Sequence, residues 1–281
     1  MQERHLNYEQ YIAEQSLTTI KYVIPYINKY CKITADMCIA EIGCGEGGNL
    51  KPFLDMGCKV IGIDISKSKI EKAYELFASH HLKINVTLIE SDIYKVNADV
   101  FKNVDLIIMR DTLEHIPNQN LFLEHLFEII NKKTKIFFAF PPWRMPFAGH
   151  QQVCMSKFLS KLPYFHLLPV PIYKKILKIF GEPPDYINSL LDVKKTKISI
   201  HKFKYIVKQN MFNFIDIDFF LINPNYEIKF KLKPRKLPPY LNIPWLRDFY
   251  TTTVYALIEK LILIKKLIVN LLFLLTKNNN T

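Results

Sequence analysis

Cys38-Ile-Ala-Glu41-Ile-Gly43-Cys-Gly45-Glu46-Gly47-Gly48 places a carboxylate and four glycines directly after a short apolar run. Glycines at that density let the backbone take φ > 0 and approach a ligand closely. A turn of this kind, entering a helix, offers free backbone N–H groups to the polar end of a nucleotide-like molecule. A second carboxylate, Asp64, ends the apolar run Lys59-Val-Ile-Gly-Ile-Asp64, 21 positions beyond Gly43. It is placed to accept hydrogen bonds from both hydroxyls of a ribose. Two imidazoles, His115 and His150, are the side chains best suited to take a proton from a hydroxyl near neutral pH.

The glycines fit two chemistries. Gly43, Gly45 and Gly48 satisfy the G-x-G-x-x-G of dinucleotide oxidoreductases, whereas Gly43, Gly45 and Gly47 satisfy the E-x-G-x-G-x-G that seats S-adenosylmethionine (SAM). A plain structural turn is the third reading. Glu41 favours SAM: a carboxylate at the mouth of the strand repels a pyrophosphate but attracts the ammonium of a methionine moiety. Asp64 is common to both cofactors, so it supports a nucleoside without naming it.

These residues need a frame that brings them to one edge. Val86-Thr-Leu-Ile-Glu-Ser91-Asp92-Ile93 reads as a strand ending in Ser-Asp, and Asp105–Met109 and Lys135–Phe140 as buried parallel strands. Between them, 66–79 and 120–131 carry apolar residues at helical spacing, with Ser66 as N-cap of the first. Strands alternating with helices predict a doubly wound parallel α/β sheet that binds ligands at the carboxyl ends of its strands. Further on, 199–210 reads as a helix, Phe214–Ile222 as an alternating strand and Thr253–Ile258 as a last one.

Glu41–Gly47, Asp64, Ser91-Asp92-Ile93 and Asp111-Thr-Leu-Glu114-His115-Ile116 together resemble the motif series of the class I SAM-dependent methyltransferases, in their small-molecule branch. The resemblance implies a mostly parallel seven-stranded, Rossmann-like sheet closed by an antiparallel C-terminal hairpin, with SAM as cofactor. It assigns Glu41, Gly43, Gly45 and Gly47 to the methionine end, Asp64 to the ribose, and Asp92 with the backbone of Ile93 to the adenine. Arg110 and Asp111 would line the cofactor floor and the substrate mouth.

Length and composition agree with one domain carrying an insertion: 281 residues, 49% of them hydrophobic. Five cysteines (Cys31, Cys38, Cys44, Cys58, Cys154) form no C-x-x-C pair and meet no histidine at metal-ligand spacing, which predicts reduced thiols and no metal. Cys44 reads as a small filler of the glycine turn rather than a nucleophile. The polar start, Met-Gln-Glu-Arg-His, lacks a signal-peptide pattern and suggests the cytoplasm, at the inner face of the membrane if the tail binds lipid. Residues 1–150 hold 17 Lys and Arg against 18 Asp and Glu, while the rest hold 21 against 8. A neutral cofactor half and a basic remainder point to nucleic acid, an anionic membrane or an anionic small substrate.

The expected organisation is an N-terminal helical segment (1–35), a SAM-binding core (36–142), a substrate lid inserted after the fifth strand (143–197), a helix and strands completing the core (198–259) and an apolar tail (260–281). The lid opens with Pro141-Pro-Trp143-Arg144-Met-Pro-Phe147-Ala-Gly149-His150-Gln151-Gln152, beside the transferring methyl. Trp143 would supply an aromatic wall, Gln151 an amide, and His150 the general base or an acceptor-orienting group, with His115 as its competitor. On a helical wheel, 261–275 gathers Lys265, Lys266 and Asn270 on one side and is short for a membrane span, which suits an interfacial helix, a packed helix or a dimer seam. The combined reading is O-methylation of a small, anionic or lipid-linked acceptor such as a glycan intermediate. Quinone-type C-methylation is the runner-up. A NAD-linked oxidoreductase and an RNA methyltransferase are disfavoured, the first by Glu41 and Leu-Glu-His-Ile, the second because no RNA-binding motif accompanies the basic half.

Overall fold

The computed structural model describes residues 8–261. The chain enters through α1 (Tyr8–Thr18), a π-turn over Thr19–Val23 and α2 (Ile24–Asn28). Pro25 explains the π-turn: with no N–H to donate, it breaks the ladder at the start of α2. Then follow β1 (Cys38–Ile42), α3 (Lys51–Asp55), β2 (Lys59–Asp64), α4 (Lys67–Ala78), β3 (Val86–Glu90), β4 (Leu106–Arg110), α5 (Gln119–Ile129) and β5 (Lys135–Phe140). The remainder is α6 (Val170–Ile179), α7 (Pro184–Thr196), α8 (Ile200–Gln209), β6 (Phe212–Ile222), α9 (Asn225–Phe230), β7 (Arg235–Lys236) and β8 (Thr253–Lys260).

The strands form one sheet in the order β3-β2-β1-β4-β5-β8-β6-β7. The first five are parallel, β8 runs antiparallel to β5, and β6 antiparallel to β8. The order reverses between β1 and β4, and a crevice opens there at the carboxyl ends, where open α/β sheets bind ligands. The expected α/β class holds, with one correction: among the described residues the sheet has eight strands, not seven. The eighth, β7, pairs its two residues with Phe220 and Ile222 of β6, and Lys236 bridges Asp218 at 2.5 Å. Its sequence, Lys-Pro-Arg-Lys-Leu-Pro-Pro, carries no alternation to reveal a strand; a short, lysine- and proline-rich segment is how an edge is protected from further pairing. The closing pair is likewise no tight hairpin, because residues 223–252 carry α9, β7 and two 3₁₀ turns between β6 and β8.

Strand alternation builds two cores. Ala40, Ile42, Ile107, Met109, Phe138 and Phe140 face α5 and α8, where Phe122, Leu126, Phe203 and Val207 are buried. On the other face Ile39, Val60, Ile108, Phe137 and Leu257 meet Ile27 of α2, Phe53 and Leu54 of α3, and Ile70, Ala73 and Phe77 of α4. Each fully buried large side chain contributes about 1.5–3 kcal/mol. Residues 143–197 hold a separate small core of Cys154, Leu159, Phe165, Tyr173, Leu177, Ile187 and Leu190.

Among the described residues no helix is long and apolar enough to cross a membrane. Apart from Leu261, the 261–275 segment lies outside the described residues.

Candidate functional site

The carboxyl ends of β1 to β5 carry the site. After β1, Gly43 (φ 75°), Gly45 (φ 53°) and Gly47 (φ 82°) all take left-handed conformations. A Cβ on Gly43 would strike Thr112 at 2.5 Å and one on Gly47 would strike Phe77 at 2.7 Å, so these two glycines are required by close packing. Gly45 differs. A Cβ there would meet nothing nearer than the Lys69 side chain at 4.0 Å, which leaves open space above the loop for a ligand. Asp64, at the end of β2, braces this turn: one carboxylate oxygen accepts from the Gly45 N–H at 2.9 Å and the other from the Ser66 N–H at 2.8 Å. Ser66 caps α4 by position, while its hydroxyl contacts Ser68 rather than the helix backbone.

Glu41 lies deeper than its place at the strand mouth suggested. It has no exposed surface; Oε1 accepts from Asn49 Nδ2 at 2.7 Å, and Oε2 has no hydrogen-bond partner. Burial pushes its pKa up to about 8 against the opposing pull of Asn49 and Arg110. Asn49 in turn accepts from Arg110 at 2.7 Å, and the same guanidinium nitrogen reaches the Gln15 carbonyl at 3.3 Å and Thr19 Oγ1 at 3.4 Å. Arg110 therefore points towards α1 and the glycine loop. Its buried guanidinium clamps three elements together, and Asp111 lies beside it at 3.8 Å with 54% of its side chain exposed.

α1 covers the loop. Ser16 donates to the Gly48 carbonyl at 2.7 Å, and Thr18 and Lys21 tie α1 and its extension to Asn225 and Glu227 of α9. Tyr11 is pushed up to about 12 by burial, then by Asp111 and Glu46, and its hydroxyl accepts from Gln15 Nε2 at 3.0 Å. Tyr226 of α9 is likewise raised by burial and then by Asp111. Sequence reasoning missed Tyr11, Gln15 and Tyr226, because nothing in their local pattern links them to the glycine loop.

After β3, Asp92 caps a short 3₁₀ turn by accepting from the Tyr94 N–H at 3.1 Å, and Ile93 is buried behind it. His125 of α5 contacts the Ile93 carbonyl at 3.3 Å. Cys44 is buried within the loop, and burial raises its thiol well above the ordinary range, which suits the filler role.

The loops after β4 and β5 meet because those strands are neighbours. His115 and His150 stand edge to face with ring centroids 4.8 Å apart. Both line a cavity of about 810 Å³ shared with Asn118, Asp185, Asn188 and Asp192, and His150 also lines a second of about 540 Å³ with Phe147, Gln152, Tyr226 and Phe230. Burial, then His115 and His166, lower the pKa of His150 to about 4. The protein packed around His115 lowers its pKa too.

Trp143 and Gln151 do not reach either cavity. Trp143 packs on His166 at 4.7 Å under the Lys194 ammonium, and its N–H bonds the Ile198 carbonyl at 2.7 Å. Gln151 is fully buried and donates to the carbonyls of Pro146 (3.0 Å) and Leu162 (3.2 Å). Both residues hold the root of the insertion, and Gln152 takes the cavity position. Gly149 is required there, since a Cβ would meet His166 Cβ at 2.1 Å. Gly149→Ala should therefore overpack this junction by about 1–3 kcal/mol and displace His150. The expected result is a lower melting temperature and a higher acceptor KM with unchanged cofactor affinity. An unchanged melting temperature would show that the insertion yields at this point.

Residues 33–164 match a family model described as a methyltransferase domain. A ubiquinone biosynthesis O-methyltransferase of Pelagibacter ubique is 28% identical over 126 residues, covering 43% of this chain and 51% of that protein. The namesake of Nitrobacter winogradskyi is 34% identical over 92 residues, 32% of this chain and 33% of that protein. The chain thus spans about half or less of the length of these curated relatives. Among solved structures, a geranyl diphosphate methyltransferase in complex with SAM superposes with a TM-score of 0.52 at 10% identity, over 89% of this chain and 85% of that one. At that identity the likeness speaks for the fold.

Proposed function

We propose that the chain is a class I SAM-dependent methyltransferase that methylates a hydroxyl of a small, lipid-linked acceptor. When bound, SAM supplies a methyl group already activated on a sulfonium. The open space over Gly45 and the unpartnered Oε2 of Glu41 fit such a cofactor. In this reading Asp64 holds the ribose, Asp92 and the Ile93 backbone face the adenine, and Gly43, Gly45 and Gly47 admit the methionine end, with Glu41 and Arg110 shaping the floor beneath. Asp111, beside Arg110 and with its side chain 54% exposed, borders the mouth.

His150 carries the acceptor reading: a neutral imidazole, without a hydrogen-bond partner among the described residues, stands where two cavities meet. It can accept a hydrogen bond from a hydroxyl and align its oxygen, which is the main task when the methyl is already activated. With its pKa near 4 it is a weak base, so alignment outweighs proton removal. Residues 143–197 act as the lid. Their outer surface exposes Phe158 (62%), Ile172 (49%), Ile179 (69%) and Phe180 (45%) among Lys157, Lys174, Lys175 and Lys178, a combination suited to an apolar anchor at an anionic surface. O-methylation is preferred over quinone-type C-methylation because the matched curated relatives are named O-methyltransferases.

The test is incubation of the full chain with methyl-labelled SAM and a prenylated catechol, against a catechol without the prenyl chain. Label should enter an ether and favour the prenylated acceptor; label on carbon, or equal use of both, overturns the reading. His150→Ala should lower kcat about 100-fold and leave SAM affinity unchanged. Because burial holds the wild-type imidazole neutral down to about pH 4, lowering the pH through 6.5 should not protonate it. An acidic limb near pH 6.5 that disappears in His150→Ala would contradict that environment.

A further inference from the structure

Glu114 and His115, which the methyl-transfer scheme leaves without a role, cluster with the His150 that faces the acceptor. One ligand atom from each lies within 4.8 Å of the others. Glu114 is 5% exposed, and its Oε2 is buried without a hydrogen-bond partner. Neither imidazole has a hydrogen-bond partner among the described residues. A buried carboxylate oxygen left bare is costly, and such groups in native proteins call for an explanation. His150 moreover holds a left-handed backbone at φ 56°, a conformation that non-glycine residues keep mainly where the surroundings impose it.

We propose that Glu114, His115 and His150 bind a divalent transition-metal ion, which in turn holds the oxygen of the acceptor. Two imidazoles and one carboxylate select a borderline ion such as Zn²⁺ or Fe²⁺ over Mg²⁺, which prefers all-oxygen ligation. Three protein ligands leave open positions for water or substrate. Ligand atoms on a common ion about 2.1 Å away must draw closer than the present spacing, which asks for side-chain rotation at the buried Glu114 as well as at His115 and His150. Access exists as well: His115 and His150 line the larger cavity together with Asp185, while Asp192 on the same wall is paired with Lys195 at 2.8 Å. Sequence spacing concealed the site, since His150 follows His115 by 35 positions and the three residues meet through the adjacency of β4 and β5.

The role of the ion rests on the methyltransferase reading; its binding does not. In the reaction the acceptor O–H proton passes to solvent, the ion-held oxygen forms the new C–O bond, and the S–CH₃ electron pair stays on the cofactor sulfur. The cation thereby supplies the acidification that a weakly basic imidazole does not.

The experiment uses the full chain, stripped with a chelator and titrated with Co²⁺ as a coloured probe, with SAM binding measured calorimetrically on the same preparation. One Co²⁺ per chain should bind, Mg²⁺ should not compete, and Glu114→Gln, His115→Ala and His150→Ala should each weaken binding at least about 10-fold. His201→Ala, on the exposed face of α8, should leave it unchanged. Retained SAM affinity in the three variants shows that they fold. Absence of Co²⁺ binding to wild type that binds SAM, or binding unaffected by all three substitutions, overturns the metal site alone. Failure to bind SAM instead overturns the assignment of the cofactor.

Discussion

Asp64→Ala should weaken SAM binding by about 100-fold or more. A carboxylate bonded to a ribose makes charge-assisted hydrogen bonds worth about 1.5–3 kcal/mol each, and two of them disappear together. The substitution also removes the acceptor of the Gly45 and Ser66 N–H groups, so the glycine turn loses the brace that holds it open. Asp64→Asn separates the two effects. Its carbonyl can still accept from Gly45, so the turn should hold, while one ribose contact and the negative charge are lost; about 10-fold weakening is expected. Calorimetry with SAM and thermal melting of both variants decide the matter. A fall in melting temperature with intact affinity would make Asp64 a brace for the loop and no more.

The fold was legible where burial is two-sided. The parallel strands read as largely apolar runs, such as Leu106-Ile-Ile-Met, and β2, β3 and β4 end on the polar residues Asp64, Glu90 and Arg110. The one cap read from the sequence, Ser66, does stand at the N-cap position of α4, though its hydroxyl turns to Ser68. Ser199, not singled out as a cap, caps α8 by accepting from the Lys202 N–H at 3.0 Å. The N-terminal helical segment was expected, but the tertiary contacts that hold it were not, and β7 escaped altogether. α1 has a weak apolar stripe, and it is held by Ser16 on Gly48 and by side chains reaching α9, two elements far away in sequence. β7 exists only as the partner of β6.

The candidate site divides in the same way. Gly43, Gly45, Gly47 and Asp64 sit together because one turn and one strand end place them, and a local motif suffices for that. Trp143 and Gln151 illustrate the opposite case. Whether Gln151 or Gln152 faces a cavity depends on the rotation of one 3₁₀ turn about the lid root, and the buried carbonyls of Pro146 and Leu162 capture Gln151. Part of the basic charge of the C-terminal half is similarly engaged within the structure. Lys194 donates to the His166 and Leu168 carbonyls, Lys202 to Gln119 and Lys260 to the Ile130 carbonyl, so the number of lysines overstated what remains for a partner. The meeting of His115 and His150, which the sequence reading treated as competitors, follows from β4 and β5 being neighbours in the sheet.

Arg110→Met should destabilise the protein by about 3–5 kcal/mol, the usual effect of removing one partner of a buried charged network. The side chain is 6% exposed and satisfies Asn49 Oδ1, the Gln15 carbonyl and Thr19 Oγ1. Methionine fills much of the space but leaves those acceptors without their donor. It also removes the cation whose field lowers the pKa of Glu41 against the effect of burial, so Glu41 should hold its proton more firmly. The guanidinium bonds tie β4 to the glycine loop and to α1. Without them α1 should detach first, seen as faster proteolysis near Tyr11 and a lower melting temperature. SAM affinity should fall as a consequence, since the helix covering the loop is no longer held. Arg110→Lys keeps the charge but offers a point donor in place of the planar fork, and it should recover part of the stability. The clamp and the cofactor-floor roles separate cleanly in these variants. If Arg110→Met loses SAM binding with an unchanged melting temperature and an equally protected α1, the guanidinium acts on the cofactor directly rather than through the helix it holds.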